Sequence, residues 1–358
     1  MDYRARQLAL RARLASAGLD GLLVAHLPNI RYLTGFSGSN ALLLLELGRA
    51  TLYTDGRYRQ QAAQEVAQAR VAIPPQGNLW KAAATQAAKL RRLGYEDDRV
   101  TVAQRARFLA AWPGKAAALR PASGWTEALR LLKQPPEVAA LRRAVALAAS
   151  VFAPTVAAIQ PGMTETALAG QLEFGLRQAG GEGLAFDTII ASGPRGAHVH
   201  GRPSAARLPR RGFVVMDYGV KLGGYLSDMT RTVHLGRPSV RARAVYHAVR
   251  EAQAAALAAV RPGVPASAVD AAARHSLRRA GFGAYFPHST GHGVGLEIHE
   301  APRLAATSSD LLAAGQVITL EPGVYIPGWG GVRIEDMVLV TAGGAEVLTP
   351  TPKDLLSL

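Results

Sequence analysis

Two stretches of this chain repeat each other at a fixed distance. Gln160-Pro-Gly-Met-Thr-Glu and Leu176-Arg177-Gln178-Ala179-Gly180 lie 101 residues before Arg261-Pro-Gly-Val and Leu277-Arg278-Arg279-Ala280-Gly281. Pro161/Pro262, Gly162/Gly263, Leu176/Leu277, Arg177/Arg278, Ala179/Ala280 and Gly180/Gly281 all coincide at that offset. Each copy reads as a long helix, a Pro-Gly break and a second helix stopped by glycine, because proline and glycine end helices. Two copies are too few for a solenoid, which needs at least three to bury a continuous core. The pattern predicts one domain with an internal pseudo-twofold repeat.

The repeat occupies only the later part of the 358 residues, a length that suits two domains at roughly 150 residues each. Residues 1–130 alternate helix and strand signals. The pattern predicts a helix over 2–17, strands at 21–26, 41–47 and 50–54, and helices over 57–69 and 80–92. This is an α/β domain. Pro135-Pro136 marks a boundary, so 131–136 reads as a linker. A helix from 137 to about 152 then opens an α+β domain over 137–358.

The basic balance, 41 Lys+Arg against 26 Asp+Glu, raises the question of a nucleic-acid partner. The arginines are scattered, in no run longer than a pair and without interleaved aromatic residues, so no nucleic-acid partner is expected. Met1-Asp2-Tyr3-Arg4-Ala5-Arg6 has no apolar stretch behind it. The apolar window 144–159 is broken by Ser150, Pro154 and Thr155 and falls short of the ~20 residues a bilayer requires. A cytoplasmic protein without a membrane partner is expected. Cysteine is absent, which excludes disulfide frameworks, thiol nucleophiles and thiolate metal sites.

Acids are rare in the apolar strands of the second domain, and the exceptions are paired. Phe213-Val-Val-Met-Asp217-Tyr-Gly219 and Gly224-Tyr-Leu-Ser-Asp228-Met-Thr-Arg-Thr flank a turn near Leu222-Gly223. With a two-residue loop there, Asp217 and Asp228 become directly opposed cross-strand neighbours. Val317-Ile-Thr-Leu-Glu321-Pro-Gly323 and Val332-Arg-Ile-Glu335-Asp repeat the arrangement around Pro327-Gly-Trp-Gly-Gly331. Taken singly, each acid reads equally as an ordinary edge or turn residue. Taken together, four carboxylates in an apolar sheet require a cationic partner. A pair of metal ions meets that need, and His292 in Thr290-Gly-His-Gly-Val-Gly295 offers an imidazole on a bare glycine loop. This hard, oxygen-rich set suits Mn(II), with Co(II) or Zn(II) as alternatives. His200, His288 and His299 stand where reacting groups would be useful. Gly291-His-Gly-Val-Gly295 lacks the lysine and the spacing of a phosphate loop.

At these residues the chain resembles the dinuclear metallopeptidases of the creatinase/aminopeptidase, or pita-bread, fold. The motifs are Met216-Asp217-Tyr-Gly, Ser227-Asp228-Met-Thr-Arg-Thr, Gly291-His292-Gly-Val-Gly, Glu321-Pro-Gly-Val-Tyr325 and Arg333-Ile-Glu335-Asp. Their order and spacing match the family's five ligands one for one. Asn29-Ile-Arg-Tyr-Leu-Thr-Gly-Phe-Ser-Gly-Ser39 and Tyr53-Thr-Asp-Gly-Arg-Tyr58 resemble the creatinase-type N-terminal domain of bacterial Xaa-Pro peptidases. The likeness covers nearly the whole chain.

The resemblance implies Asp217, Asp228, His292, Glu321 and Glu335 as ligands to two divalent ions, with Glu335 bridging them. It implies Glu321 as proton acceptor for the attacking water, His299 as stabiliser of the developing oxyanion and His200 as helper of the substrate or proton donor to the departing proline nitrogen. His288, Arg333 and Tyr325 are implied around the substrate. Val199 and Arg195 depart from the proline and asparagine that relatives often carry in this loop. The expected substrates are short peptides with proline second, and a homodimer is expected. The glycine-rich N-terminal motifs look more like aminopeptidase P than prolidase, so aminopeptidase P is the leading expectation and Xaa-Pro dipeptidase the alternative. Methionine aminopeptidase and a non-enzymatic binding module stand further back.

Overall fold

A computed structural model of the chain describes residues 1–75, 77–114, 116–160 and 162–358. Pro161, one of the repeat coincidences, lies outside the described residues. The chain divides into two compact units, Met1–Arg130 and Leu131–Leu358.

The first unit is built on a six-stranded sheet. Its strands run in the order Arg70–Ala72, Ala50–Thr54, Ala41–Glu46, Gly21–Val24, Leu93–Tyr95 and Leu119–Pro121. Gly21–Val24 is antiparallel to Ala41–Glu46 and parallel to Leu93–Tyr95. Leu42, Leu43, Leu44 and Leu45 are all buried, as an unbroken apolar run demands of a strand covered on both faces. The opening helix, Tyr3–Ser16, is capped by Asp2, whose carboxylate accepts from Ala5 N at 2.9 Å. Two helical expectations were too long. The stretch 57–69 is a 3-10 turn followed by the helix Arg59–Glu65, and 80–92 contains Leu79–Gln86 and a 3-10 turn. A helix absent from the sequence reading, Leu27–Thr34, follows the first strand.

The second unit opens with the helix Pro135–Ala157, so two residues of the expected linker belong to the helix. Both prolines occupy its first turn, where no N–H is needed, and Gln134 with Glu137 forms a capping box in front. At 23 residues this helix is long and apolar enough, by length and composition, to cross a bilayer, which the shorter window 144–159 had not suggested. Its buried face packs in the core instead. Leu141 and Val145 lie against Tyr225, Val317 and Met337, and Ala144, Ala148 and Val151 against Leu172, Tyr218 and Met229.

The repeat is carried by the helices. Glu165–Gln178 and Ala266–Arg279 each span 14 residues, with both ends 101 residues apart. In each half a long antiparallel pair is broken near its middle and continues as a hairpin. Gly212–Tyr218 pairs with Met229–Leu235, then Val220–Leu222 with Tyr225–Leu226. Val317–Leu320 pairs with Asp336–Thr341, then Gly323–Ile326 with Gly330–Arg333. Asp228, Glu321 and Glu335 sit in the breaks, and Asp217 stands one residue from the end of its strand.

The register corrects one expectation. Asp217 faces Thr230, not Asp228. The turn is Gly223-Gly224, both left-handed at φ +59° and +81°, between the paired Leu222 and Tyr225. A two-residue hairpin turn favours positive φ at both central positions. Moving the turn by one residue moves the partner of Asp217 by two, so Asp228 becomes its diagonal neighbour on the same face.

Candidate metal centre

Three acids in the strand breaks and Asp217 within its strand point into one cavity of about 640 Å³ in the second unit. Asp217, Asp228, Glu321 and Glu335 line it together with His200, His288, His292, His299 and Arg333. Tyr325 is buried and is not among the lining residues, but it contacts two of them. Every candidate metal, catalytic and substrate-binding residue named from the sequence is thus in or directly behind one cavity.

His292 is delivered by the short strand Gly291–Gly293. A side chain on Gly291 would collide with the carbonyl of Thr319, and one on Gly293 with that of Ala301. Glycine on both sides lets the strand press against its neighbours while the imidazole points into the cavity. Nδ1 of His292 lies 3.0 Å from the carbonyl of Gly293. Only an Nδ1–H can donate to a carbonyl, so this contact leaves Nε2 as the nitrogen that faces the acids, where a proton or a metal ion can sit between them. Nε2 is 3.3 Å from Glu321 and 3.6 Å from Asp228. Asp228, His292 and Glu335 each offer one ligand atom, and these atoms lie within 4.8 Å of one another.

Arg333 organises the opposite side. Its Nη2 donates to Asp217 Oδ2 at 2.6 Å, its Nη1 to Tyr325 Oη at 2.8 Å and to the Val199 carbonyl at 3.1 Å, and its Nε to Thr230 Oγ1 at 3.0 Å. Thr230 in turn donates to Glu335 Oε2 at 2.7 Å. Having accepted from Arg333, Tyr325 Oη turns its own proton toward His288 Nε2 at 2.9 Å, while His288 Nδ1 faces the Ser289 carbonyl at 2.8 Å. His299 stacks edge-on to His292 with ring centroids 4.4 Å apart. His200 is exposed at the tip of the loop after Ala197, next to Val199.

The electrostatics show what this donor set lacks. Burial pushes the carboxyl of Asp217 up, and those of Asp228 and Glu335 well up, with the neighbouring acids adding to the rise. Burial also acts upward on Glu321, but its hydrogen bond and charge interaction with His292 outweigh it and hold that carboxyl low. In return Glu321 overcomes the burial of His292 and raises its imidazole. Burial lowers His288 and His299, and pushes the Tyr325 hydroxyl up to about 12. Among the described residues, the buried Asp217 Oδ1 has no hydrogen-bond partner. An orphaned carboxylate oxygen among crowded acids, beside an imidazole whose Nε2 faces them, fits hard divalent cations held by oxygen and nitrogen.

Thr230 and Thr319 were missed from the sequence. Thr319 Oγ1 accepts from His292 N at 3.1 Å and reaches Glu321 Oε1 at 3.3 Å. Both threonines stand two residues from an acid of the cluster, on the same strand face, so period-two alternation marks them. Phe186, Ile189 and Ile298, which give the cavity its apolar wall, carry no such signal.

Comparison with known proteins points the same way. Residues 139–342 match metallopeptidase family M24, and residues 6–132 match the creatinase/prolidase N-terminal domain. The chain is 44% identical over 228 residues to an Xaa-Pro dipeptidase of Pyrococcus furiosus, covering 64% of this chain and 66% of that one. The structure of an Xaa-Pro dipeptidase from Bacillus anthracis superposes with a TM-score of 0.95 at 37% identity, covering 99% of this chain and 100% of that one. An X-Pro aminopeptidase from Thermotoga maritima follows at a TM-score of 0.90 and 33% identity, covering 97% and 100%.

Proposed function

Because the chain belongs to metallopeptidase family M24 and carries a creatinase/prolidase N-terminal domain, its exopeptidase chemistry is metal-dependent, and we propose that it is an Xaa-Pro dipeptidase using two divalent ions. The observation that carries this reading is the end-to-end likeness to the Bacillus anthracis Xaa-Pro dipeptidase. The leading expectation from the N-terminal motifs, aminopeptidase P, is revised accordingly, since the relatives fit the dipeptidase alternative better. It remains the second reading because the Thermotoga maritima enzyme also aligns over nearly the full length. The N-terminal unit argues against methionine aminopeptidase.

Asp217, Asp228, His292, Glu321 and Glu335 would hold the ions, with Mn(II) the metal we favour. Bound there, divalent ions supply Lewis-acid polarisation of the scissile carbonyl and activation of the attacking water. Glu321 would serve as the proton acceptor for that water. His299, lowered by burial, stays neutral and offers an N–H to the developing oxyanion. An Xaa-Pro bond has no N–H, and its tertiary nitrogen must gain a proton as it departs. His200 at the tip of its loop is the donor. Arg333 keeps Asp217 and, through Thr230, Glu335 in place. His288, fixed by Tyr325 behind it, offers the face against which the proline ring would rest.

The test is a single assay on chelator-stripped protein restored with Mn(II), Co(II) or Zn(II). Xaa-Pro, Xaa-Pro-Xaa and Met-Ala-Ser peptides are compared side by side. Metal-dependent cleavage of the dipeptide alone is expected. Cleavage of the tripeptide Xaa-Pro-Xaa replaces the reading with aminopeptidase P, and release of methionine from Met-Ala-Ser with methionine aminopeptidase. No cleavage under any metal leaves a binding module.

A further inference from the structure

The second helices of the two repeats bury the same face. In Glu165–Gln178 the buried positions are 165, 168, 169, 172 and 176, and in Ala266–Arg279 they are 266, 269, 270, 273 and 277, each pair 101 residues apart. Such a stripe is ordinarily apolar. Here each copy carries one carboxylate on it, Glu165 in the first and Asp270 in the second, both fully buried. A charged group persists in such a place only when its hydrogen bonds are met.

Both acids meet theirs on a loop that bears a cavity histidine. Asp270 accepts from Thr290 N at 3.0 Å, from Thr290 Oγ1 at 2.8 Å and from Arg274 Nε at 2.6 Å. Arg274 also donates to the carbonyls of Phe286 and His288. Glu165 takes the loop between Ser192 and Ser204. One oxygen accepts from Ser192 N at 2.8 Å and Ser192 Oγ at 2.9 Å. The other accepts from Arg195 Nε at 3.0 Å, Ser204 N at 3.2 Å and Ser204 Oγ at 2.7 Å. One carboxylate thereby ties the start, the first bend and the end of a single loop.

At the tip of that loop stand Val199 and His200. Arg195 reaches across its base, with Nη2 donating to the Arg202 carbonyl at 2.8 Å, and Arg333 takes the Val199 carbonyl from the other side. Arg195 is one of the two departures from the usual residues of this loop, and here it completes the clamp. We propose that Glu165 is a positioning residue for His200, closing the loop so that this imidazole is held at the cavity. The inference rests on the proposed peptidase reading, in which His200 hands a proton to the departing nitrogen.

A double-mutant cycle tests it. Glu165→Gln keeps the shape but puts an NH2 donor where one set of N–H and O–H donors needs an acceptor. Misplacing a catalytic group by about 1 Å lowers turnover by roughly 100-fold, so E165Q is expected to lose about 10- to 100-fold in kcat on an Xaa-Pro dipeptide. KM and Mn(II) affinity, the latter read by equilibrium dialysis, are expected to stay within about 3-fold, since the clamp touches no proposed ligand. In a His200→Ala background E165Q is expected to cost nothing further, because coupled residues are non-additive. Ser204→Ala, a milder change at the loop's end, is expected to lose part of the same kcat and likewise none in the H200A background. Additive losses in the cycle, or full turnover in both E165Q and S204A, overturn the clamp while the wild type still cleaves its dipeptide. A wild type that cleaves no Xaa-Pro peptide overturns the functional reading itself, and with it any catalytic role for the clamp.

Discussion

Thr230 places a hydroxyl where the first repeat touches the acid of the second. It is fully buried, donates to Glu335 Oε2 and accepts from Arg333 Nε. Valine fills nearly the same volume but offers neither function. Thr230→Val leaves the Arg333 Nε–H without a partner and Glu335 free to turn, at about 1–3 kcal/mol of stability for the stranded buried donor. Partners that orient a metal ligand typically contribute about 10- to 100-fold to metal affinity, and that loss is the expected result in a Mn(II) titration of chelator-stripped protein. Thr230→Ser should restore most of it. Wild-type affinity in T230V would show that Glu335 needs no such support. At this scale much of the site was legible, because acids in an apolar sheet are conspicuous. Thr230 was hidden by its ordinariness, since threonine is common in strands, although it stands two residues beyond Asp228.

Among the elements, the helix Leu27–Thr34 shows most clearly what a local pattern leaves out. A helix start needs acceptors for its first N–H groups, and nothing near residue 27 announces one. No side chain caps this one; its entrance is fixed by Glu96, distant in sequence, whose Oε2 accepts from Ala25 N at 2.7 Å and His26 N at 2.8 Å just ahead of the helix and whose Oε1 accepts from the side-chain Nδ2 of Asn29 at 2.6 Å. The repeat helices, by contrast, were visible because each carries its own Pro-Gly entrance, and the hairpin register was misjudged by two because either of two neighbouring turns satisfied the same apolar pattern. Glu96 also carries a pH dependence. It is buried, and burial raises its carboxyl above the ordinary value. A folded-state pKa above the unfolded one means that its contribution is fully present below the ordinary carboxylate range and declines as pH rises through the raised value. Compared with Glu96→Gln, which does not titrate, the wild-type chain should therefore lose relative stability between pH 4 and neutrality. Urea denaturation of both chains across that interval reads the difference, and a constant gap would mean that Glu96 does not titrate differently in the two states.

At the scale of the catalytic unit, the two repeats are joined by a buried network that no proposed catalytic step uses. All five N–H donors of Arg231 are engaged. Two go to the carbonyls of Thr230 and Glu335, one to Asp336 Oδ1 at 2.7 Å, and two to the carbonyls of Thr351 and Pro352 at 2.6 and 3.0 Å. The second oxygen of Asp336 accepts from Gln253 Nε2 at 2.9 Å and from Lys353 Nζ at 2.6 Å. The segment 351–358 then runs back along the first repeat, with His234 N donating to the Leu356 carbonyl at 2.9 Å and Leu358 N to that of His234 at 3.0 Å. Arg231 therefore spans three pieces of chain, and one of its contacts is the backbone of Glu335, a proposed ligand. Removing residues 351–358 strips two of its acceptors and takes Lys353 from Asp336, while leaving every cavity side chain in the sequence. Leaving two buried guanidinium donors without acceptors costs about 1–3 kcal/mol each, and a Glu335 whose backbone partner Arg231 is anchored on one side only is expected to bind Mn(II) about 10- to 100-fold more weakly. Lys353→Met separates the two effects, because it removes the ion pair on Asp336 but leaves both carbonyls on Arg231. It should lose stability with little loss of metal affinity. Calorimetric Mn(II) titration and urea denaturation of the three chains decide the matter. If the shortened chain binds metal as tightly as the full one, the network serves folding alone, and the centre is held by the strands that carry it.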